Sequence, residues 1–246
     1  PDVIVILGDR YEIYSSVISA YLNRIPIIHI HGGEVTTGSM DEGIRHSITK
    51  LSHIHFPATE LSKQRLIRMG EEPNNIYVVG CPSIDVLVET PIISIEELEK
   101  YFNINFNNPT CLMIQHPVTT EHEDSFLQIK ATVDAIKELN IQTIALLPNN
   151  DAGYAKIISY IKKSGLKWYP SLPTKIFINL YRNVDALIGN SSSGIHETPT
   201  LKIPAINVGK RQQGRERANN VIDVTHDKVL IKKDIKKAIY DISFTD

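Results

Sequence analysis

The stretch 189–216, GNSSSGIHETPTLKIPAINVGKRQQGRE, gathers side chains suited to holding an anion. It follows the apolar run 184–188, which reads as a strand, and its small polar residues lead into a helix start. A helix N-terminus offers backbone N–H groups and a positive dipole end, and Ser191, Ser192 and Ser193 add hydroxyl donors. Glu197 lies four residues past Ser193, and Lys210, Arg211 and Arg215 follow the next strand, 205–208. An acid of this kind commonly holds a ribose and Arg suits phosphate, so the first reading is a nucleotide diphosphate pocket. The plain alternative is a serine-rich turn with solvated charges.

A second group sits nearer the start. Gly8-Asp9-Arg10 follows one apolar run, and His29-Ile30-His31-Gly32-Gly33-Glu34 follows the next, with Asp41 and Glu42 opening a helix. Glycines allow tight turns, and crowded carboxylates raise one another's pKa, so Asp9, His31, Glu34 and Asp41 are candidates for proton transfer. Each has a structural alternative: Asp41 as a helix cap, Asp9 paired with Arg10 or Arg45, His31 bonded to a backbone carbonyl. His116 ends the run CLMIQ and suits an acid or a donor to a leaving phosphate. The pairs His29/His31 and His53/His55 bring no third ligand by spacing, so a metal site is not expected.

These groups must be positioned by alternating strands and helices. Strands are expected at 3–7, 26–30, 76–79, 111–115, 143–147, 167–169, 186–188 and 205–208. Helices are expected at 11–23, 41–54, 60–69, 121–139, 152–163, 175–182 and 233–242. That alternation implies parallel sheets, and we expect two doubly wound α/β domains, 1–105 and 106–246, facing a cleft lined by strand carboxyl ends. The first run, continuous in Val3 to Leu7, reads as a strand buried on both faces, which implies earlier strands that this chain lacks.

Composition excludes several classes. The 246 residues are 42% hydrophobic and 22% charged, with a formal charge of −2, so neither nucleic acid nor an anionic membrane is expected as a partner. Only KKDIKK is notably basic, and it reads as a solvated helix face. Cys81 and Cys111 have no CxxC spacing and read as reduced buried thiols of a cytoplasmic protein. No signal pattern or apolar run of membrane-spanning length occurs, and neither GxxxxGK[ST] nor GxGxxG is present.

The strings GDRYE, HIHGGE, DEGIRHSITKLSHIHF, VVGCPSIDVL, QHPVTTEHE, LLPNNDAG, IGNSSSGIHE and NVGKRQQGRE resemble the hydrolysing UDP-N-acetylglucosamine 2-epimerases of sialic and related nonulosonic acid synthesis. The resemblance implies a glycosyltransferase-B-like architecture with an incomplete N-terminal domain. It also implies a metal-independent, cofactor-free reaction: UDP is eliminated across C1 and C2 to leave a glycal, and water then adds with inversion at C2. By position it implies catalytic roles for Asp9, Asp41 and His116. Ser192 and Ser193 match phosphate-binding serines in a loop with Gly194, Glu197 matches a ribose-binding acid, Arg211 a nucleotide-site arginine, and Phe177 an aromatic near the uracil. Family members often carry an acid where this chain has His31, so either His31 or Glu34 takes that role, or the sugar differs. The family further implies a UDP-sugar substrate and a homodimer or higher homo-oligomer.

Two readings from other classes stay open, a glycosyltransferase of the same architecture and a silent UDP-sugar sensor. A non-hydrolysing epimerase is the nearest relative reaction. UDP-N-acetylglucosamine is the expected substrate, with UDP-N,N′-diacetylbacillosamine as the alternative.

Overall fold

A computed structural model describes residues 1–36 and 40–241. The chain forms two compact units: Pro1–Pro82 with Gln213–Arg215, and Ser83–Gln212 with the chain from Glu216. The division falls before the expected boundary at 105, because α4 (Pro82–Glu89) and α5 (Ile95–Phe102) bury Leu87, Leu98 and Phe102 in a core of the second unit.

The first unit is a parallel three-stranded sheet in the order β1 (Ile4–Leu7), β2 (Ile27–Ile30), β3 (Ile54–Phe56). Helices α1 (Tyr11–Leu22), α2 (Asp41–Leu51) and α3 (Glu60–Arg68) complete its βα alternation. Val17, Ala20, Ile27 and Ile48 close with Ile6 into its core. Each of the valine and isoleucine side chains contributes about 1.5–3 kcal/mol when fully buried. Within this chain Ile6 of β1 points inward, whereas Val5 and Leu7 are exposed. Pairing along one edge and packing on one face leaves alternate residues of β1 outside the core.

Two further expectations change here. The run 52–56 was not expected as a strand, yet three of its residues form β3, and the expected strand 76–79 makes only an isolated bridge, His55 to Ile76. Tyr77 N–H donates to the His55 carbonyl at 2.9 Å, and Val79 N–H to that of Pro57 at 3.2 Å. A parallel ladder needs a return bond from position 57, and Pro57 has no N–H, so the fourth strand stops there.

The second unit has a six-stranded parallel sheet. Its strands are β4 (Thr110–Ile114), β5 (Gln142–Leu146), β6 (Lys167–Tyr169), β7 (Ala186–Gly189), β8 (Ala205–Val208) and β9 (Val221–Val224), ordered β6-β5-β4-β7-β8-β9. Relative to chain order this is 3-2-1-4-5-6, the dinucleotide-binding arrangement, and the order reverses between β4 and β7. Both faces are covered, which explains continuous apolar runs: Cys111, Met113, Ile188 and Ile206 face one core, and Leu112, Ile114, Leu187 and Ala205 the other.

Helices α6 (Ser125–Leu139), α7 (Tyr154–Lys163) and α11 (Lys228–Tyr240) cover the first face, and α8 (Thr174–Tyr181) the second. The helix expected to open at 233 begins at Lys228, where the Asp227 carboxylate accepts from Val229 N–H at 2.7 Å and Leu230 N–H at 3.0 Å. Its expected last residue, Ile242, lies outside the described residues. β9 was not expected, since VIDV is short and carries a central acid. Among the described residues no helix is long and apolar enough to cross a membrane.

Candidate active site

In the first unit, Gly8 at φ +83 turns the chain out of β1 and presents Asp9. Asp9 accepts from the Arg45 guanidinium, which is 1% exposed. Arg45 Nη1 also donates to Glu42 Oε2 at 2.8 Å and to the Glu34 carbonyl at 3.0 Å, and Nη2 to Thr36 Oγ1 at 2.8 Å. The Thr36 N–H donates to the same Glu42 oxygen at 2.6 Å. One buried cation thus gathers Asp9, Glu42 and the loop after β2, a fork that Arg geometry allows.

The two histidines of HIHGGE behave oppositely. His29 is fully buried with Nε2 donating to the Gly8 carbonyl at 2.9 Å, and burial lowers its pKa to about 4, so it stays neutral. His31 adopts φ +67, and its Nδ1 lies 2.8 Å from Glu34 Oε1. Burial alone would lower the His31 pKa, but hydrogen bonds to Cys81 and Glu34 outweigh it and raise it to about 10. His31 is therefore an imidazolium at neutral pH, able to give a proton rather than take one.

Asp41 is buried in the first turn of α2. The N-cap position of α2 is Met40, whose side chain makes no cap hydrogen bond, and Asp41 follows it as the first helical residue. Arg215, grouped by sequence with the phosphate loop, packs instead with the first unit. Its guanidinium donates to the Val35 carbonyl at 3.2 Å and Thr36 Oγ1 at 2.8 Å, and stands 3.6 Å from Glu34 Oε2. Sequence reading named Arg45 only as one possible partner for Asp9. Its spacing after Glu42 on α2, one helical turn, is the signal that points both side chains to one face.

In the second unit, His116 follows β4 and Asn190 follows β7, at the reversal of strand order, where ligands bind in such sheets. Asn190 Oδ1 accepts from His116 N–H at 2.7 Å, and Nδ2 donates to the His116 carbonyl at 2.9 Å. The His116 Nδ1 accepts from Asn149 N–H at 3.2 Å. A backbone N–H can only donate, so Nδ1 is unprotonated and a neutral His116 carries its proton on Nε2.

Arg211 Nη1 donates to the Asn190 carbonyl at 3.1 Å, and Gln212 Nε2 to the same oxygen at 2.8 Å. Lys210 is exposed.

The helix opened by Ser193 is a four-residue turn, α9 (Ser193–His196), followed by α10 (Thr198–Leu201) with Pro199 near its start. So short a helix has a small dipole, and the hydroxyls are the further polar groups of the loop: Ser191 and Ser193 Oγ atoms lie 2.9 Å apart. Gly194 packs under the loop, where an added Cβ would meet Leu187 at 3.0 Å. Glu197 ends α9 and sits near buried Tyr181, whose phenol pKa burial pushes up, with the Glu197 charge adding to it. Phe177 stacks with Tyr181 at 5.3 Å between ring centres and is partly buried against the core.

Among the described residues no three His, Cys, Asp or Glu side chains converge as a metal-binding group. Cys111 is a buried thiol whose pKa burial pushes up, and Cys81 is half-buried.

A family model described as UDP-N-acetylglucosamine 2-epimerase matches residues 1–245. The chain is 41% identical over 236 residues to a UDP-N,N′-diacetylbacillosamine 2-epimerase (hydrolyzing) of Legionella pneumophila, covering 94% of this chain and 62% of that protein. It is 35% identical to a UDP-N-acetylglucosamine 2-epimerase of Neisseria meningitidis, covering 92% of this chain and 60% of that protein. The chain thus spans about three-fifths of the length of these relatives. Among solved structures, the UDP-GlcNAc 2-epimerase from Neisseria meningitidis bound to UDP-GlcNAc superposes with a TM-score of 0.84 at 22% identity, over 100% of this chain and 70% of that one. The enzyme from Methanocaldococcus jannaschii in complex with UDP-GlcNAc and UDP gives 0.79 at 20% identity, over 98% and 70%. Structures this distant in sequence share the fold, and the family-model match over nearly the whole length places the chain in the UDP-N-acetylglucosamine 2-epimerase family.

Proposed function

We propose that the chain serves a hydrolysing 2-epimerase that converts UDP-N-acetylglucosamine and water to N-acetylmannosamine and UDP. The observation that carries this reading is the arrangement at the strand reversal of the second unit. There His116, fixed with Nδ1 as an acceptor, and Arg211 are both bonded to Asn190.

In this reaction a base removes the C2 proton, the C1–O bond to UDP breaks with its electrons leaving on the phosphate, and a C1=C2 glycal forms. Water then gives hydroxide to C1 and a proton reaches C2 from the opposite face. Asp9 and Asp41 act as the carboxylates of these proton transfers, and the His31 imidazolium, paired with Glu34, returns a proton. The Nε2–H of His116 and the Arg211 guanidinium stabilise the departing diphosphate, with Ser192 and Ser193 holding it, Gly194 allowing the loop to pack close, and Glu197 binding the ribose. Phe177 lies along the base. No cofactor and no metal takes part, and the protein works in the cytoplasm as a homo-oligomer supplying nonulosonic acid synthesis.

A second substrate is favoured by a specific observation. The relative at 41% identity is named for UDP-N,N′-diacetylbacillosamine, whereas the one named for UDP-N-acetylglucosamine is 35% identical. Comparing UDP release from the two nucleotide sugars at equal concentration decides between them. Preference for either supports a hydrolysing epimerase of 2-acetamido sugars. UDP release only when a sugar acceptor is added would make the protein a transferase, and binding of both sugars without release would make it a sensor.

A further inference from the structure

Asn190 is 1% exposed, and each of its four polar atoms is engaged. Its N–H donates to the Ile114 carbonyl at 3.1 Å, just beyond the last β4–β7 pair, Ile114 with Gly189. Both strands end at that pair, where the order of the sheet reverses. The side-chain amide then continues the pairing in place of backbone, gripping both the N–H and the carbonyl of His116. The assignment of amide O and N is fixed by these partners, since a backbone N–H only donates and a carbonyl only accepts.

We propose that Asn190 is a positioning residue that holds His116 as an Nε2–H donor and ties Arg211 to the same rigid frame. This rests on the function proposed above for its catalytic consequence, though not for its structural one. The two-point grip fixes the His116 backbone, which brings the imidazole Nδ1 onto Asn149 N–H and so selects the tautomer. The Asn190 main-chain carbonyl independently anchors Arg211 and Gln212. Side chain and backbone of one residue thereby serve two separate anchors. Only an amide of this length supplies one donor and one acceptor here: Asp lacks the donor, and Ala lacks both.

The division of labour makes the test specific. Asn190→Ala removes the grip on His116 while keeping the carbonyl that holds Arg211. The experiment records 15N ring spectra of His116, UDP affinity by calorimetry, and turnover, for wild type, Asn190→Ala and Asn190→Asp. The expected result is a single Nε2–H tautomer in wild type and a mixture in Asn190→Ala, with kcat lowered about 10²-fold. UDP affinity changes by less than about tenfold. If Asn190→Ala does not fold, Asn190→Asp decides, since it keeps the acceptor for His116 N–H and loses only the donor; it should show partial loss of tautomer order. An unchanged His116 spectrum in the folded variant overturns the proposal. So does a fall in UDP affinity and thermal stability parallel to that in kcat. A wild type that neither binds UDP nor turns over refutes the proposed function, while the ring spectra still decide the role of Asn190.

Discussion

Removing Arg45 tests the gathering of the first unit around one buried cation. Replacing Arg45 by Met keeps most of its volume but deletes four hydrogen bonds, to Asp9, Glu42, Thr36 and the Glu34 carbonyl. Breaking a buried pair by removing one partner costs about 3–5 kcal/mol, because the remaining charge is left uncompensated. Asp9 and Glu42 side chains are 22% and 28% exposed, so water can partly replace the guanidinium, and the lower end, about 3 kcal/mol, is expected. With a urea m-value of about 2 kcal/mol/M, that moves the unfolding midpoint down by about 1.5 M. Arg45→Lys should recover about half of the loss, since an ammonium keeps the charge but cannot fork to all four acceptors. The assay is urea unfolding followed by circular dichroism, with hydrogen exchange on α1, β2 and α2 to locate the change. A Met variant within about 0.5 kcal/mol of wild type, a shift typical of surface substitutions, would refute the reasoning.

Three further outcomes follow from the same structure. The imidazoles of His29 and His31 should shape the stability curve in opposite ways. His31, raised to about 10, contributes stability that is complete below about 6.5 and lost as pH rises towards 10, so His31→Asn should flatten that alkaline fall. His29, lowered to about 4, stays neutral in the fold while the unfolded chain takes up a proton, so stability drops as pH falls from about 6.5 to 4, and His29→Gln should remove that slope. Gly189→Ala should destabilise the second unit by more than about 3 kcal/mol in thermal melts, because φ is +134 and the new Cβ would lie 2.0 Å from the Ile114 carbonyl oxygen. Prolonged dialysis against EDTA should leave turnover unchanged, and recovery only on adding a divalent cation would contradict the proposed metal-independent mechanism.

Much of the second unit is legible because its strands are buried on both faces. Runs such as CLMI and ALIG are continuous in apolar residues, and the helices between them follow the 3.6-residue period. What escapes notice has local physical reasons. β3 is three residues long and includes His55, whose burial depends on Glu71 3.2 Å away, a partner that no local pattern shows. The run 76–79 has strand composition, yet the missing N–H of Pro57 stops the ladder. Among chemical residues, Asp9, His31 and Glu34 stand out as polar groups after apolar runs, and the positions of Ser193 and Glu197 are visible in one loop. Arg45 looks like an ordinary helix arginine until its four acceptors are seen. Proximity in sequence to Arg211 groups Arg215 with the phosphate loop, and nothing local shows that its guanidinium bonds to Val35 and Thr36. Asn190 precedes the serine motif and reads as part of it, while its side chain acts on a residue 74 positions away.

The measurement that bears most directly on the central claim is proton NMR of the reaction in D2O with UDP-N-acetylglucosamine and, in parallel, UDP-N,N′-diacetylbacillosamine. Elimination to a glycal followed by hydration predicts release of UDP together with a free manno-configured amino sugar carrying deuterium at C2. A product that retains its C2 proton, or one that keeps UDP attached, would contradict the hydrolysing epimerase account.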